Sequence, residues 1–351
     1  MRIFDTPIRI KNLELRNRLV MPPMATAQSG MDGQVTEQLC NYYDEKSRGG
    51  YIGLIITEHS FISPEGRASK GQLSIANDGD VAGLSRLTGT IHTNGAIVMA
   101  QLNHAGGAAS EKITGYAPLG ASSVRLPRMP AVEPAPREMT LPEIDKVISD
   151  FAQAAQRAKK AGFDGVEIHS AHGYLLNQFF SPLTNQRTDR YGGKTIGGRI
   201  RLHLEIIEAI RAAAGKDYPL ALRLGACDYM DGGTTIEDSV LSAKEFEKAG
   251  VDLLDISGGL CSYIRPGVTE QGYFSEISEA VKRSVSVPVL LTGGIVDAAA
   301  AEKLLAENKA DLIGVGRAML KNSEWAKNAN LLEKHAIMTG ADSGIGHETA
   351  K

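Results

Sequence analysis

Short apolar runs and helix-length amphipathic segments alternate along most of this chain. The runs at 18–21, 53–57, 97–102, 165–169, 219–224, 252–256, 288–291 and 311–315 are rich in β-branched residues, and several are continuously hydrophobic. Such runs predict parallel strands covered on both faces, where neither side of the sheet meets water. Between them, apolar positions recur at helical spacing over 36–48, 81–93, 196–214, 236–249, 271–284 and 298–307. The clearest helix opens with the capping box Thr140-Leu-Pro-Glu143. It sets Ile144, Val147, Ile148, Phe151, Ala154, Ala155 and Ala158 on one face and stops at Gly162. Strands and helices alternating eight times, with no charge run or low-complexity linker, predict an α/β fold: a single-domain (β/α)8 TIM barrel. A doubly wound open sheet would need a Gly-x-Gly-x-x-Gly turn after an early strand, and no such turn occurs. Residues 1–17 precede the first strand and have room for a hairpin that closes the barrel floor.

Barrel enzymes build their sites from the loops that follow the strands, so the long strand-to-helix connections matter. Residues 103–139 form an insertion carrying Pro118, Pro127, Pro130, Pro134 and Pro136. It reads equally as a stiff surface excursion or as a wall over the barrel mouth. Residues 181–195 and 257–270 are further long loops on the same face.

Chemistry concentrates at the fourth strand. His169 ends it, His172 lies three residues on, and Tyr174 follows. Two imidazoles and a phenol at the carboxyl end of one barrel strand can converge on a single substrate oxygen or carbon. Phosphate binding is suggested by Leu291-Thr-Gly-Gly-Ile295 after the seventh strand and Val315-Gly-Arg317 after the eighth. There Gly293, Gly294 and Gly316 permit close backbone approach and Arg317 supplies charge. Gln101 and Arg223 fall at the ends of the third and fifth strands, where a cofactor with donor and acceptor edges would use both.

Composition narrows the function classes. Of 351 residues, 38 are Lys or Arg and 41 are Asp or Glu, a formal net charge of -3, which gives no electrostatic argument for nucleic acid or an anionic membrane. No apolar run approaches a membrane span, and the first residues lack the apolar core of a secretory signal, so a soluble cytoplasmic protein is expected. Cys40, Cys227 and Cys261 are too few and too scattered for a disulfide framework or a four-cysteine metal site. Tyr191-Gly-Gly-Lys-Thr195 has the end of a P-loop, but Thr188 stands where its first glycine is required. In the tail, residues 331–351, Thr339-Gly-Ala-Asp-Ser-Gly-Ile-Gly346 matches the glycine turn of short-chain dehydrogenases. It is either a fortuitous Gly-rich end or the remnant of a fused dehydrogenase domain.

Over residues 1–330 the chain resembles the Old Yellow Enzyme family of FMN-dependent NAD(P)H:flavin oxidoreductases. The resemblance rests on Asn17-Arg-Leu-Val-Met-Pro-Pro-Met24, Leu54-Ile-Ile-Thr-Glu58, Gln101-Leu-Asn-His-Ala-Gly106, His169-Ser-Ala-His-Gly-Tyr174 and Ser181-Pro-Leu-Thr-Asn-Gln-Arg-Thr-Asp-Arg-Tyr-Gly-Gly193, together with the two glycine turns. It implies that Pro23, Met24 and Ala25 pass beside the isoalloxazine ring, with His59 near it in a backbone role. It further implies Gln101 at the pyrimidine edge, Arg223 beside N1 and O2, and Gly293, Gly294, Gly316 and Arg317 around the phosphate. By the same resemblance His169 and His172 bind a substrate carbonyl and Tyr174 donates a proton. The implied reaction is a ping-pong exchange in which NADH or NADPH reduces FMN and an α,β-unsaturated carbonyl compound, such as an enone, is reduced at its C=C bond. Ala25 stands where Thr or Cys is frequent in the family, and Ala27 where some bacterial relatives carry Tyr. Longer relatives add an iron–sulfur cluster and a second nucleotide-binding domain, for which this chain has neither the cysteines nor the length, so a single-domain flavoenzyme is expected. The competing expectation is a metal-dependent barrel hydrolase or lyase using the His169/His172 pair as ligands, with His104 a candidate third. Oligomeric state stays open, a homo-oligomer included.

Overall fold

Eight parallel strands close on themselves in the computed structural model, which describes residues 2–127 and 134–329. They are β1 (Leu19–Met21), β2 (Leu54–Ile56), β3 (Ile97–Asn103), β4 (Gly165–Ser170), β5 (Leu220–Gly225), β6 (Leu253–Ser257), β7 (Val289–Leu291) and β8 (Leu312–Gly314). Neighbours in sequence are neighbours in the sheet, and Ile313 opposite Leu19 pairs β8 with β1 to complete the ring. The helices that alternate with the strands are α1 (Glu37–Ser47), α2 (Asp80–Thr93), α3 (Leu141–Lys160), α4 (Ile196–Ala214), α5 (Ile236–Ala249), α6 (Ser275–Lys282), α7 (Ala298–Ala306) and α8 (Arg317–Lys321); short helices Glu111–Thr114 and Leu175–Phe180 lie in the loops after β3 and β4. This is the (β/α)8 barrel the alternation predicts, and each predicted strand is present. No helix among the described residues is long and apolar enough to cross a membrane. The tail 331–351, with its dehydrogenase-like turn, and Pro130 lie outside the described residues.

Strand alternation sorts the interior into layers. On the outer face Val98, Ala100, Val166, Ile168, Leu220, Leu222 and Leu224 are buried beneath the helices. On the inner face Val20, Leu54, Met99, Ala221, Leu253, Leu290 and Leu312 form an apolar floor. A hairpin, Ile8–Ile10 paired with Leu13–Leu15, adds Ile10 and Leu15 to that cluster, so the chain's N-terminal segment stoppers the barrel from below. Two positions further along, the inner face turns polar: Met99 gives way to Gln101, Ala221 to Arg223, Leu253 to Asp255 and Leu290 to Thr292. The period of two places this polar layer directly above the floor.

Two expectations need adjusting. The helix expected over 271–284 starts only at Ser275, because Gly272 and Tyr273 donate their N–H groups to the Gly293 carbonyl, at 2.7 and 3.3 Å. Gln271 accepts the Val296 N–H (2.7 Å) and donates to Asp297, so these residues fasten the turn after β7 instead of extending α6. The described parts of 103–139 wall no cavity mouth. They brace the segment after β4: Arg187 donates to the carbonyls of Ala121 (3.0 Å) and Met139 (2.7 Å), and Gly107 donates to Gln178 (2.9 Å).

Candidate active site

A cavity of about 420 Å³ opens above the polar layer, at the carboxyl ends of the strands. All thirteen residues singled out in the sequence line it. Pro23, Met24 and Ala25 come from the turn after β1, His59 from beyond β2, Gln101 from β3, and His169, His172 and Tyr174 from the end of β4 and its turn. Arg223 comes from β5, Gly293 and Gly294 from the turn after β7, and Gly316 and Arg317 from the turn after β8. The sequence reading missed Ser257, Tyr263, Tyr273, Thr292 and Leu320, which also line it.

The turn after β4 is built to aim side chains. His172 and Gly173 both have left-handed backbones, φ 62° and 79°, uncommon for a non-glycine residue and a frequent mark of functional turns. This reverses the chain so that His172 returns over His169, ring centroids 5.1 Å apart and nearly perpendicular, while Tyr174 stands 5.0 Å from His169. The Nε2 atom of His172 lies 2.8 Å from the Ser257 hydroxyl, which holds its ring. Burial, reinforced by His172 and Arg223, pushes the pKa of His169 well below the usual imidazole range, so it stays neutral. Burial raises the Tyr174 pKa, keeping a protonated phenol at neutral pH.

Below them the polar layer is an ion cluster. Gln101 donates to Glu167 (2.8 Å), and Arg223 Nε stands 3.2 Å from Asp255 Oδ2. One guanidinium faces two buried carboxyl groups. Burial, then the neighbouring Asp255, pushes the Glu167 pKa well up, and burial lifts Asp255 to about 6 against the pull of Arg223. Glu167 is thus pushed further toward its protonated form than Asp255, whose carboxylate pairs with Arg223. Both carboxyls sit two positions before a recognised site residue or strand end, Glu167 before His169 and Asp255 before Ser257. Strand periodicity in the sequence was the signal that could have found them.

The opposite end of the cavity is shaped by close approach. A side chain on Gly294, whose φ is 70°, would come within 2.5 Å of the Tyr273 ring, and one on Gly316 within 2.8 Å of the Met24 sulfur. Arg317 donates to the Tyr273 hydroxyl (2.9 Å), which in turn donates to the Tyr263 carbonyl (2.6 Å). Backbone groups and one guanidinium here suit a phosphate. The buried His169 Nδ1 lacks a hydrogen-bond partner among the described residues. With Gln101 and Arg223 beside it, the wall fits a flat heteroaromatic group with donor and acceptor edges, and hence FMN. The metal-site alternative loses its third ligand: His104 is buried outside the cavity, its Nδ1 accepting the Gly106 N–H (3.0 Å). Among the described residues no cluster of three His, Cys, Asp or Glu side chains is arranged to hold a metal ion.

Comparison with known proteins gives the same picture. Residues 2–334 match the model of the NADH:flavin oxidoreductase / NADH oxidase family. An NADH oxidase of Thermoanaerobacter brockii is 40% identical over 344 residues, 96% of this chain and 52% of that protein. An NADPH dehydrogenase of Clostridium acetobutylicum is 37% identical over 337 residues, 94% of this chain and 97% of that protein. Among solved structures, a 2-naphthoyl-CoA reductase bound to 2-naphthoyl-CoA superposes with a TM-score of 0.87 at 26% identity, covering 95% of this chain and 52% of that one. An old yellow enzyme homologue from Zymomonas mobilis superposes with a TM-score of 0.80 at 27% identity, covering 95% and 93%. The chain thus spans about half the length of the first of these relatives and nearly all of the NADPH dehydrogenase.

Proposed function

Because this chain belongs to the NADH:flavin oxidoreductase / NADH oxidase family, we propose that it is an FMN-dependent NAD(P)H oxidoreductase that reduces the C=C bond of α,β-unsaturated carbonyl compounds. The observation that carries this reading is the group of His169, His172 and a protonated Tyr174, gathered within about 5 Å over the polar layer. Bound FMN would supply the hydride relay between nicotinamide and alkene. The protein's own groups supply the rest. His169 and His172 donate to the substrate carbonyl oxygen and stabilise the charge that gathers there. Tyr174 delivers a proton to the α-carbon. Gln101 and Arg223 would hold the polar edge of the flavin, Arg223 supplying a cation there. Pro23, Met24 and Ala25 would flank the ring, and Gly293, Gly294, Gly316 and Arg317 would hold the phosphate.

A visible spectrum of the purified protein tests the reading first. Flavin absorbance should bleach anaerobically with NADH or NADPH and return on addition of an enone. Protein that binds no FMN, or reduced protein that no enone reoxidises, defeats it. Phosphate anchoring is tested separately. Replacing Arg317 with Ala removes a charge-assisted contact of roughly 1.5–3 kcal/mol, so FMN should bind about ten- to a hundredfold more weakly to the apoprotein. Fluorescence titration measures it, and an unchanged Kd removes Arg317 from the phosphate site.

A further inference from the structure

His59 was expected near the flavin through its backbone, yet its side chain lines the cavity. Its ring is tilted by 32° against Tyr174 at 5.3 Å and meets His169 edge-on at 6.1 Å. What the ring offers to the cavity is fixed by the Gln72 amide behind it, with the Asn103 amide beside the same ring nitrogen. Gln72 accepts the Ala68 N–H through Oε1 (2.7 Å), so its amide cannot be turned round. Its Nε2 must then face His59, where it donates to the His59 carbonyl (3.1 Å) and stands 3.2 Å from Nδ1. Asn103 Nδ2 lies 3.0 Å from the same ring nitrogen. A nitrogen met by amide N–H groups must present its lone pair, and a neutral imidazole then carries its proton on Nε2. Burial, with Arg223 nearby, lowers the His59 pKa to about 4, so the ring is neutral at physiological pH.

We propose that His59 is a third N–H donor of this site, acting through Nε2 on an acceptor oxygen lodged beside Tyr174 and His169. The inference rests on the oxidoreductase reading for the identity of that oxygen: the carbonyl edge of the flavin or the oxygen of the substrate. Ala25, in the same cavity, brings no side-chain donor, so the imidazole supplies one from another element of the wall. The donor is also steady. Its orientation depends on Gln72 and Asn103, both buried, and it does not change charge across the neutral range.

Two measurements test it. In the wild-type protein, ¹⁵N-histidine NMR reads the tautomer directly. The His59 signals, assigned with a His59 variant, should show a bare Nδ1 and a protonated Nε2. A proton on Nδ1 overturns the proposal. This readout does not require FMN, so a chain that fails to load flavin refutes the function and leaves the tautomer to be judged by itself. The second measurement uses His59→Phe and His59→Gln holoenzymes, which keep a side chain of similar reach without and with an N–H donor. Losing the donor should weaken binding of a para-substituted phenolate by about tenfold or more if the substrate oxygen is the acceptor. If the flavin is the acceptor, the midpoint potential of bound FMN should fall instead. His59→Gln should recover part of whichever quantity moves. Folded, FMN-loaded His59→Phe with both phenolate affinity and potential unchanged overturns the proposal, as does a loss that His59→Gln does not reverse.

Discussion

Replacing Tyr174 with Phe is expected to leave reduction by NAD(P)H within about twofold of the wild-type rate while slowing alkene reduction by roughly 10²–10⁴-fold, the usual scale of a general acid. The substitution keeps the ring that packs against His59 and His169 and removes only the hydroxyl, so the cavity wall should survive. Burial raises the phenol pKa, so at neutral pH the wild-type group is present as a proton donor and not as a phenolate. Only the second half of the cycle consumes that proton. Stopped-flow measurement of the two halves separates them, and equal slowing of both would remove Tyr174 from proton delivery.

Asp228→Ala should give the largest loss of stability near the cavity. This fully buried carboxylate accepts the Leu260 N–H (2.7 Å), the Thr234 N–H (2.8 Å) and the Ser181 hydroxyl (2.6 Å). It thereby ties together the loops that follow β4, β5 and β6. Gly233 and Gly259 leave room for it, since a side chain on Gly259 would lie 2.2 Å from its Oδ1. Each hydrogen bond to a charged acceptor contributes roughly 1.5–3 kcal/mol, and the two stranded N–H groups would stay buried. A loss of about 4 kcal/mol and a fall in Tm of about 5 °C are expected, read by thermal or urea denaturation. A Tm within about 2 °C of wild type would show that the loops hold one another without this carboxylate.

The barrel was legible because its strands are apolar on both faces and its helices carry period and caps. Thr140 and Glu143, for example, form the reciprocal cap that their spacing predicts. The cavity lining was legible for a different reason: family motifs mark strand ends, and closure of the ring brings strand ends together. The inner carboxyls were harder to see. Glu167 and Asp255 stand inside apolar runs, where a single acidic residue looks like an interruption of a strand, and only the closed barrel turns both onto Arg223. The stretch 271–274 keeps helical periodicity, yet its backbone N–H groups serve the Gly293 carbonyl, a long-range contact that local pattern does not encode. The His59 ring was missed likewise. Its placement depends on Gln72 and Asn103, which come from separate parts of the chain.

The hairpin that stoppers the floor closes this barrel from below. Ile10 and Leu15 fill the lower end with hydrocarbon, so on the proposed reading nicotinamide and alkene would both enter from the end of the barrel where Tyr263, Val296 and Leu320 line the cavity. Two reactants that use one berth in succession must each vacate it before the other arrives. Each is then a competitor of its partner as well as a substrate: an excess of alkene crowds out the nicotinamide that should recharge the flavin, and an excess of nicotinamide delays the alkene. On the proposed reading, turnover would be fastest at an intermediate ratio of the two.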